Sequence, residues 1–257
     1  MLRLYVLLVV LLLTGCQNDD PATTAPPPQA ESSDLPLADP SDAADYYERA
    51  QRYEEGGDYV RADADYTRAY QLDSSDIDHA YAMVSIWMDQ ERYDDAARVT
   101  QRLDTEDDPR HALLLAEVQY VQGHYENAIT TARPLATTEL PQRADAYYLM
   151  GEAEAARGDT AAALIAYKQI DLVDRQYLRG NYRAGQLLLE QNRPREAYRE
   201  FNIVVNNDPA NVSAHYLRGS ASEMMGQTAQ AIRDYEAVLR MEPTFSEARV
   251  ALDRVSQ

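Results

Sequence analysis

Small and apolar residues recur along the chain with a period of roughly 34 residues. An alanine returns at Ala62, Ala96, Ala128, Ala163, Ala197 and Ala231. An aromatic follows four residues later at Tyr66, Tyr167, Phe201 and Tyr235. A further apolar residue lies three places on, at Leu103, Leu135, Ile170, Val204 and Val238. This spacing draws one apolar stripe along a helix, and a period of this length predicts an all-α solenoid of helix pairs.

The turn residues keep the same period. Five places before the alanine stand Gly57, Gly123, Gly158 and Gly226. Glycine tolerates a left-handed backbone, so we expect it to end the first helix of each pair. The pattern predicts six repeats over residues 43–245 and a capping helix over 246–257. The repeats start near Ala43, Ile77, Pro109, Ala144, Leu178 and Val212.

The segment YYLMGEAEAARGDTAAALIAYKQI and its counterparts in the two following repeats resemble the tetratricopeptide repeat (TPR) family. Gly151, Gly185 and Gly219 fall where that family places a small residue in the first helix, opposite the repeating alanine. The resemblance implies a protein-binding scaffold whose first helices line a concave groove. It implies no enzymatic activity.

Two departures from the pattern predict local irregularity. Repeat two is short, and Pro134 lies inside the second helix of repeat three, where proline bends or ends a helix. We therefore expect superhelical curvature to change around residues 104–136.

Arg49 and Arg218 stand where the family buries leucine, which indicates a register shift, an exposed face or a partner contact.

The amino terminus resembles a bacterial lipoprotein signal peptide over residues 1–15. Arg3 precedes an apolar run that is too short to span a bilayer, and the run ends at Leu13-Thr14-Gly15-Cys16. The resemblance implies lipidation of Cys16 and a membrane anchor, and Gln17 implies the periplasmic face of the outer membrane. The alternative is an ordinary secretory signal.

Residues 16–42 are rich in proline and alanine, which predicts a disordered tether.

Composition narrows the partners. The chain has 43 acidic and 24 basic residues, for a formal charge of −19. Nucleic acid is not expected as a partner because phosphate binding needs a basic surface. The four histidines are scattered and none has the spacing of a zinc site, so we predict no catalytic residue, no metal and no cofactor.

The resemblance assigns partner binding to the groove. Predicted groove residues are Tyr47, Tyr81, Tyr148, Tyr182, Tyr216, Glu117, Glu152, Arg110 and Arg179. Five tyrosines at one place in six repeats form a ladder of rings, and the surrounding acidic residues favour a basic or neutral protein segment. The alternative is a glycan-binding module that stacks peptidoglycan or exopolysaccharide on the ladder. The oligomeric state is left open, and a homo-oligomer is possible.

Overall fold

The computed structural model describes residues 40–103, 108–137 and 141–257. These ranges contain thirteen α-helices and no β-strand. The helices are α1 Ala43–Glu55, α2 Tyr59–Leu72, α3 Ile77–Asp89, α4 Tyr93–Thr100, α5 Pro109–Val121, α6 Tyr125–Ala136, α7 Arg143–Ala156, α8 Thr160–Val173, α9 Arg179–Glu190, α10 Pro194–Asn207, α11 Val212–Met224, α12 Thr228–Met241 and α13 Ser246–Val255. The all-α solenoid predicted from the sequence is confirmed.

Every repeat turns through a left-handed residue five places before its alanine. The four glycines have φ between 71° and 87°. The two repeats without glycine use Glu91 at φ 59° and Asn192 at φ 56°. A left-handed backbone is costly for a residue with a Cβ, so the turn is demanded by the helix pairing in all six repeats.

The recurring alanines form the contact between paired helices. All six are fully buried. The first-helix glycines lie against the aromatic of the same repeat, which follows the alanine by one helical turn. A Cβ at Gly151 would lie 2.4 Å from the Tyr167 ring, and one at Gly185 would lie 2.7 Å from Phe201. Glycine is required there because the ring occupies the space of a side chain.

Repeats two and three show how the irregularities are accommodated. The second helix of repeat two, α4, has only 8 residues. Pro134 lies in the last turn of α6, which is continuous from Tyr125 and ends two residues after the proline. The end of the helix close to the proline is one of the two effects expected from the sequence, and α6 packs against both α5 and α7. The structure shows an early helix end, and the change of curvature stays a prediction.

Arg49 and Arg218, which stand where the family buries leucine, each pair with a buried aspartate. Arg49 donates to Asp65 from Nε at 2.6 Å and from Nη2 at 2.8 Å. Arg218 holds Asp234 in the same way, at 3.1 and 2.6 Å. Both pairs occupy the same places in repeats one and six, so the register is intact and the charges need no external partner.

Each helix packs on the next one in the chain, and some first helices also touch one another. Direct contacts join α3 with α5, α5 with α7 and α9 with α11. Contacts that skip the intervening second helix place the first helices on the inner side of the stack. Among the described residues, no helix is both long and apolar enough to cross a bilayer. The expected signal peptide, Cys16 and all of the tether except residues 40–42 lie outside the described residues.

Candidate functional site

The side of the solenoid formed by α1, α3, α5, α7, α9 and α11 is called the first-helix face here. It carries all the groove residues expected from the sequence. The structure brings the central ones together, and Tyr81, Arg110, Glu117, Tyr148, Glu152 and Arg179 come from four successive repeats.

The predicted tyrosine ladder is packed into the protein. Tyr148 is only 2% exposed. Its ring lies 6.1 Å from that of Tyr167 and 5.9 Å from that of Tyr177, centroid to centroid. The guanidinium of Arg179 lies over the same ring at 4.5 Å. Burial raises the pKa of the Tyr148 hydroxyl to about 12, and the charge of Glu152 adds to the rise.

The other tyrosines of the ladder are half-buried against aromatic rings or the next repeat. Tyr182 contacts Phe201 edge-on at 5.9 Å. Tyr47 contacts Tyr66 and His79, and Tyr216 contacts Tyr235 and Phe245. The hydroxyl of Tyr81 donates to the Arg110 carbonyl at 3.2 Å. These rings join adjacent elements of the solenoid, and their contact with a partner stays a prediction.

A row of charged side chains crosses the centre of the first-helix face. Asp78 accepts from Arg110 at 2.8 Å, which links repeats two and three. Asp145 accepts from the Tyr177 hydroxyl at 2.9 Å. Burial raises the pKa of Asp145, although the Tyr177 hydrogen bond and the Arg179 charge oppose the rise. The row fixes the spacing of neighbouring repeats.

Second-helix tyrosines reach carboxylates on the first-helix face. Tyr66 donates to Glu54 at 2.8 Å, Tyr167 to Glu152 at 2.6 Å and Tyr235 to Glu223 at 2.8 Å. Two of these carboxylates are also held by an arginine that lies two helices further along the chain, in α9 or α13. Arg183 holds Glu152 at 2.7 and 3.0 Å, and Arg254 holds Glu223 at 2.6 and 2.9 Å. A bidentate arginine fixes both oxygens, so these acids are structural.

Glu117 is the exception among these carboxyl groups. The residue is 9% exposed, and its Oε1 has no hydrogen-bond partner. Burial raises the pKa of Glu117 to about 8, the charge of Asp145 raises it further, and Arg179 opposes the rise. A buried carboxyl group without a matched partner is held in its neutral form near neutral pH. Glu117 is therefore a carboxyl group of the face whose charged form is costly to bury.

Some residues of this network were not predicted from the sequence. Tyr177, Arg183 and Arg254 were missed because each lies beyond the second helix that follows its acid, in the turn before α9, in α9 and in α13. The signal was present in the spacing, since Arg183 and Arg254 follow their glutamates by 31 residues and Tyr177 follows Asp145 by 32. In a repeat of roughly 34 residues, that offset brings the partner to the adjacent first helix or the turn before it.

The chemistry of the face suits recognition. Within the described ranges, no three His, Cys, Asp or Glu residues are placed to hold a metal ion. The carboxylates are spread along six helices and mostly fixed by arginine or tyrosine. Such a surface can accept a segment of another molecule along its length.

Comparison with known proteins relates part of the chain to a known family. Residues 113–175 and 182–244 match the tetratricopeptide repeat family model. The mitochondrial import receptor subunit TOM70 of Rattus norvegicus is 28% identical over 109 residues, covering 42% of this chain and 17% of the receptor. The Hsp70-Hsp90 organizing protein of Triticum aestivum is 22% identical over 202 residues, covering 74% of this chain and 33% of that protein. The chain therefore spans a third or less of these curated relatives.

A solved structure shares the fold over most of the chain. The structure described as pilF of Pseudomonas aeruginosa superposes with a TM-score of 0.62 at 16% identity, and covers 82% of this chain and 97% of that one. At this identity the likeness concerns the fold alone.

Proposed function

Because the chain folds as an all-α solenoid of tetratricopeptide repeats, we propose that it is a scaffold that docks a segment of a partner protein on its first-helix face. The relatives that match this chain in sequence include, by their names, a mitochondrial import receptor subunit and an Hsp70-Hsp90 organizing protein. The continuous row of side chains from successive first helices supports this proposal. It presents one extended surface to a partner.

The acidic side chains that stay exposed on the first-helix face indicate the charge of the partner segment. Glu55, Asp89 and Glu190 on the first-helix face are exposed. Asp78 keeps 61% of its side chain exposed although it pairs with Arg110. An acidic surface on a chain of charge −19 attracts cationic segments and repels acidic ones. We infer that the docked segment is basic or neutral.

The glycan alternative receives less support from the geometry. Stacking on a sugar needs an open aromatic face, and the rings of the central tyrosines are engaged by other rings or by Arg179. The protein-docking proposal does not depend on open rings, because backbone and side-chain polar groups of a peptide can meet the exposed acids.

The proposed location of the protein in the cell rests on the resemblance of its amino terminus to a lipoprotein signal peptide. Lipidation of Cys16 anchors the protein, and residues 16–42 tether the solenoid on the periplasmic face of the bacterial outer membrane. There the scaffold takes part in assembling an envelope complex, such as a pilus or secretion system, or in controlling peptidoglycan hydrolases.

Binding of a fluorescent hexalysine peptide tests the charge preference of the face. We expect the variant Asp89→Asn/Glu190→Gln to bind the peptide about fivefold more weakly than the natural chain, because two exposed acids of the face are lost. The matched control Glu236→Gln/Glu242→Gln removes two exposed acids from the α12 side and keeps the affinity. Equal losses in both variants would show that the peptide senses only net charge, which would refute the groove preference.

A further inference from the structure

A second surface of opposite charge lies at the carboxyl-terminal end of the solenoid. Residues of α10 and the start of α12 line an open cleft with a volume of about 920 Å³. We call it the arginine cleft, defined by Arg195, Arg199, Arg233, Tyr198 and Met225. All three arginines are exposed, whereas Tyr198 and Met225 are half-buried.

The arginines of the cleft differ from their neighbours because none of them forms an ion pair with a described acid, although Arg199 also acts electrostatically on Glu196. Arg193 is held by Glu196 at 2.7 and 2.8 Å, and Arg218 by Asp234. By contrast, Arg195 and Arg199 form no ion pair with any described residue. Arg233 donates to the neutral amide oxygen of Gln230 at 2.6 Å. Unpaired arginines gathered at one cleft are unexpected in a chain with 43 acidic and 24 basic residues.

The end of a helix adds to the positive potential. Gln227 caps α12 without a side-chain hydrogen bond, and the first turn of α12 contains no acidic residue. In α2 and α8 the same position is Asp58 or Asp159, whose side chains accept from the helix backbone. The amino-terminal end of a helix carries a partial positive charge, and at α12 this charge opens into the cleft uncompensated.

We propose that the arginine cleft binds an acidic segment of a protein. Guanidinium groups pair with carboxylates in a bidentate fashion, and the apolar surfaces of Tyr198 and Met225 suit the intervening side chains and backbone. The volume is far larger than a single bound anion requires. An anionic bilayer is disfavoured as the occupant because the chain as a whole carries a charge of −19.

This proposal is independent of the one for the first-helix face. The cleft is lined by second helices, and the partner has the opposite charge. With both surfaces occupied, the scaffold holds a basic segment and an acidic segment at the same time.

Titration with a fluorescein-labelled hexaglutamate peptide at low ionic strength tests the cleft. We expect Arg195→Gln/Arg199→Gln to weaken binding about tenfold, because two charge-assisted contacts are lost. The control Arg175→Gln/Arg240→Gln removes two exposed arginines outside the cleft and stays within about twofold of the natural chain. Binding of hexalysine is unchanged in the cleft variant, which separates this proposal from that for the first-helix face, and circular dichroism checks the fold.

Three outcomes would overturn the proposal. The first is an equal loss of hexaglutamate binding in the cleft variant and its control. The second is failure of the natural chain to bind hexaglutamate at low salt. The third is arginine-dependent binding of phosphatidylglycerol vesicles or inorganic phosphate without binding of the peptide.

Discussion

Glu117 shows how a single residue can oppose the stability of the face that contains it. It faces Asp145 of α7 and Arg179 of α9, and the Tyr81 hydroxyl of α3 also senses its charge. Burial and the charge of Asp145 disfavour the ionised form of Glu117 more than the charge of Arg179 favours it. Protonation of Glu117 removes this cost, since a neutral carboxyl group costs less to bury than a charged one.

The titration of Glu117 predicts a loss of stability with rising pH. Its pKa is about 8 in the folded chain against an ordinary value of 4.5. Between these values the folded state holds a proton that the unfolded state has released, so the free energy of unfolding falls as pH rises through that window. We expect Glu117→Gln to remove this contribution, which is at most about 5 kcal/mol. Urea unfolding at pH 5, 6.5 and 8 measures it.

The matched control for this experiment is Glu190→Gln, which neutralises an exposed acid of the same face. It leaves the pH dependence close to that of the natural chain. If Glu117→Gln and the natural chain lost stability in parallel between pH 5 and 8, Glu117 would be ionised throughout and the assignment of a raised pKa would be wrong.

At the scale of the helix pair, one aromatic and one small residue set the packing. In repeats one, four and six the aromatic is tyrosine, and its hydroxyl meets a glutamate of the first helix. In repeat five the aromatic is Phe201, with no hydroxyl to satisfy. Repeat three has Ala132 at the aromatic place, so Glu117, which stands at the repeat place of Glu152, has no tyrosine hydroxyl to accept from, and its Oε1 is left without a hydrogen-bond partner.

Substitution of the facing glycine tests the closeness of the pair. A Cβ at Gly185 meets three atoms of the Phe201 ring within 3.0 Å, and the ring is rigid and fully buried. We expect Gly185→Ala to lower the free energy of unfolding by about 1–2 kcal/mol, because overpacking exceeds the gain in helix propensity.

Gly180→Ala is the comparison for that measurement. Its Cβ would meet the Cδ1 of Ile170 at 2.7 Å, which is the far end of a flexible side chain. We expect this variant to lose less stability than Gly185→Ala in chemical denaturation. The reverse order would show that the ring of Phe201 has room to move.

The period of the sequence predicts the helix pairs well because each repeat obeys the same local rules. The first helices begin at or next to the predicted repeat starts, and the capping helix begins at Ser246. The candidate site was predicted less well. Tyr148 lies on a first helix, as the sequence predicts. Its burial depends on contacts with Tyr177, in the turn before α9, and with Arg179 of α9. Contacts between repeats are set by pairs of residues, and a pattern averaged over repeats does not contain them.

Across the whole molecule, two surfaces differ in the sign of their charge. The first-helix face keeps unpaired acids, and the arginine cleft keeps unpaired arginines. Elsewhere most arginines pair with an acid, as in the Arg49–Asp65 and Arg157–Glu126 pairs. A solenoid has few constraints between distant repeats, so distinct surfaces can be maintained at its centre and at its end.

The most direct test of the central claim is crosslinking in cells from a photoreactive residue placed at Gln186, a half-buried position on the first-helix face. Position Ile165, 64% exposed on α8, serves as the control. We expect one dominant protein to be captured from position 186 and not from position 165, and we expect Asp89→Asn/Glu190→Gln to reduce its capture. Capture of the same proteins from both positions, or of polysaccharide alone from position 186, would contradict it.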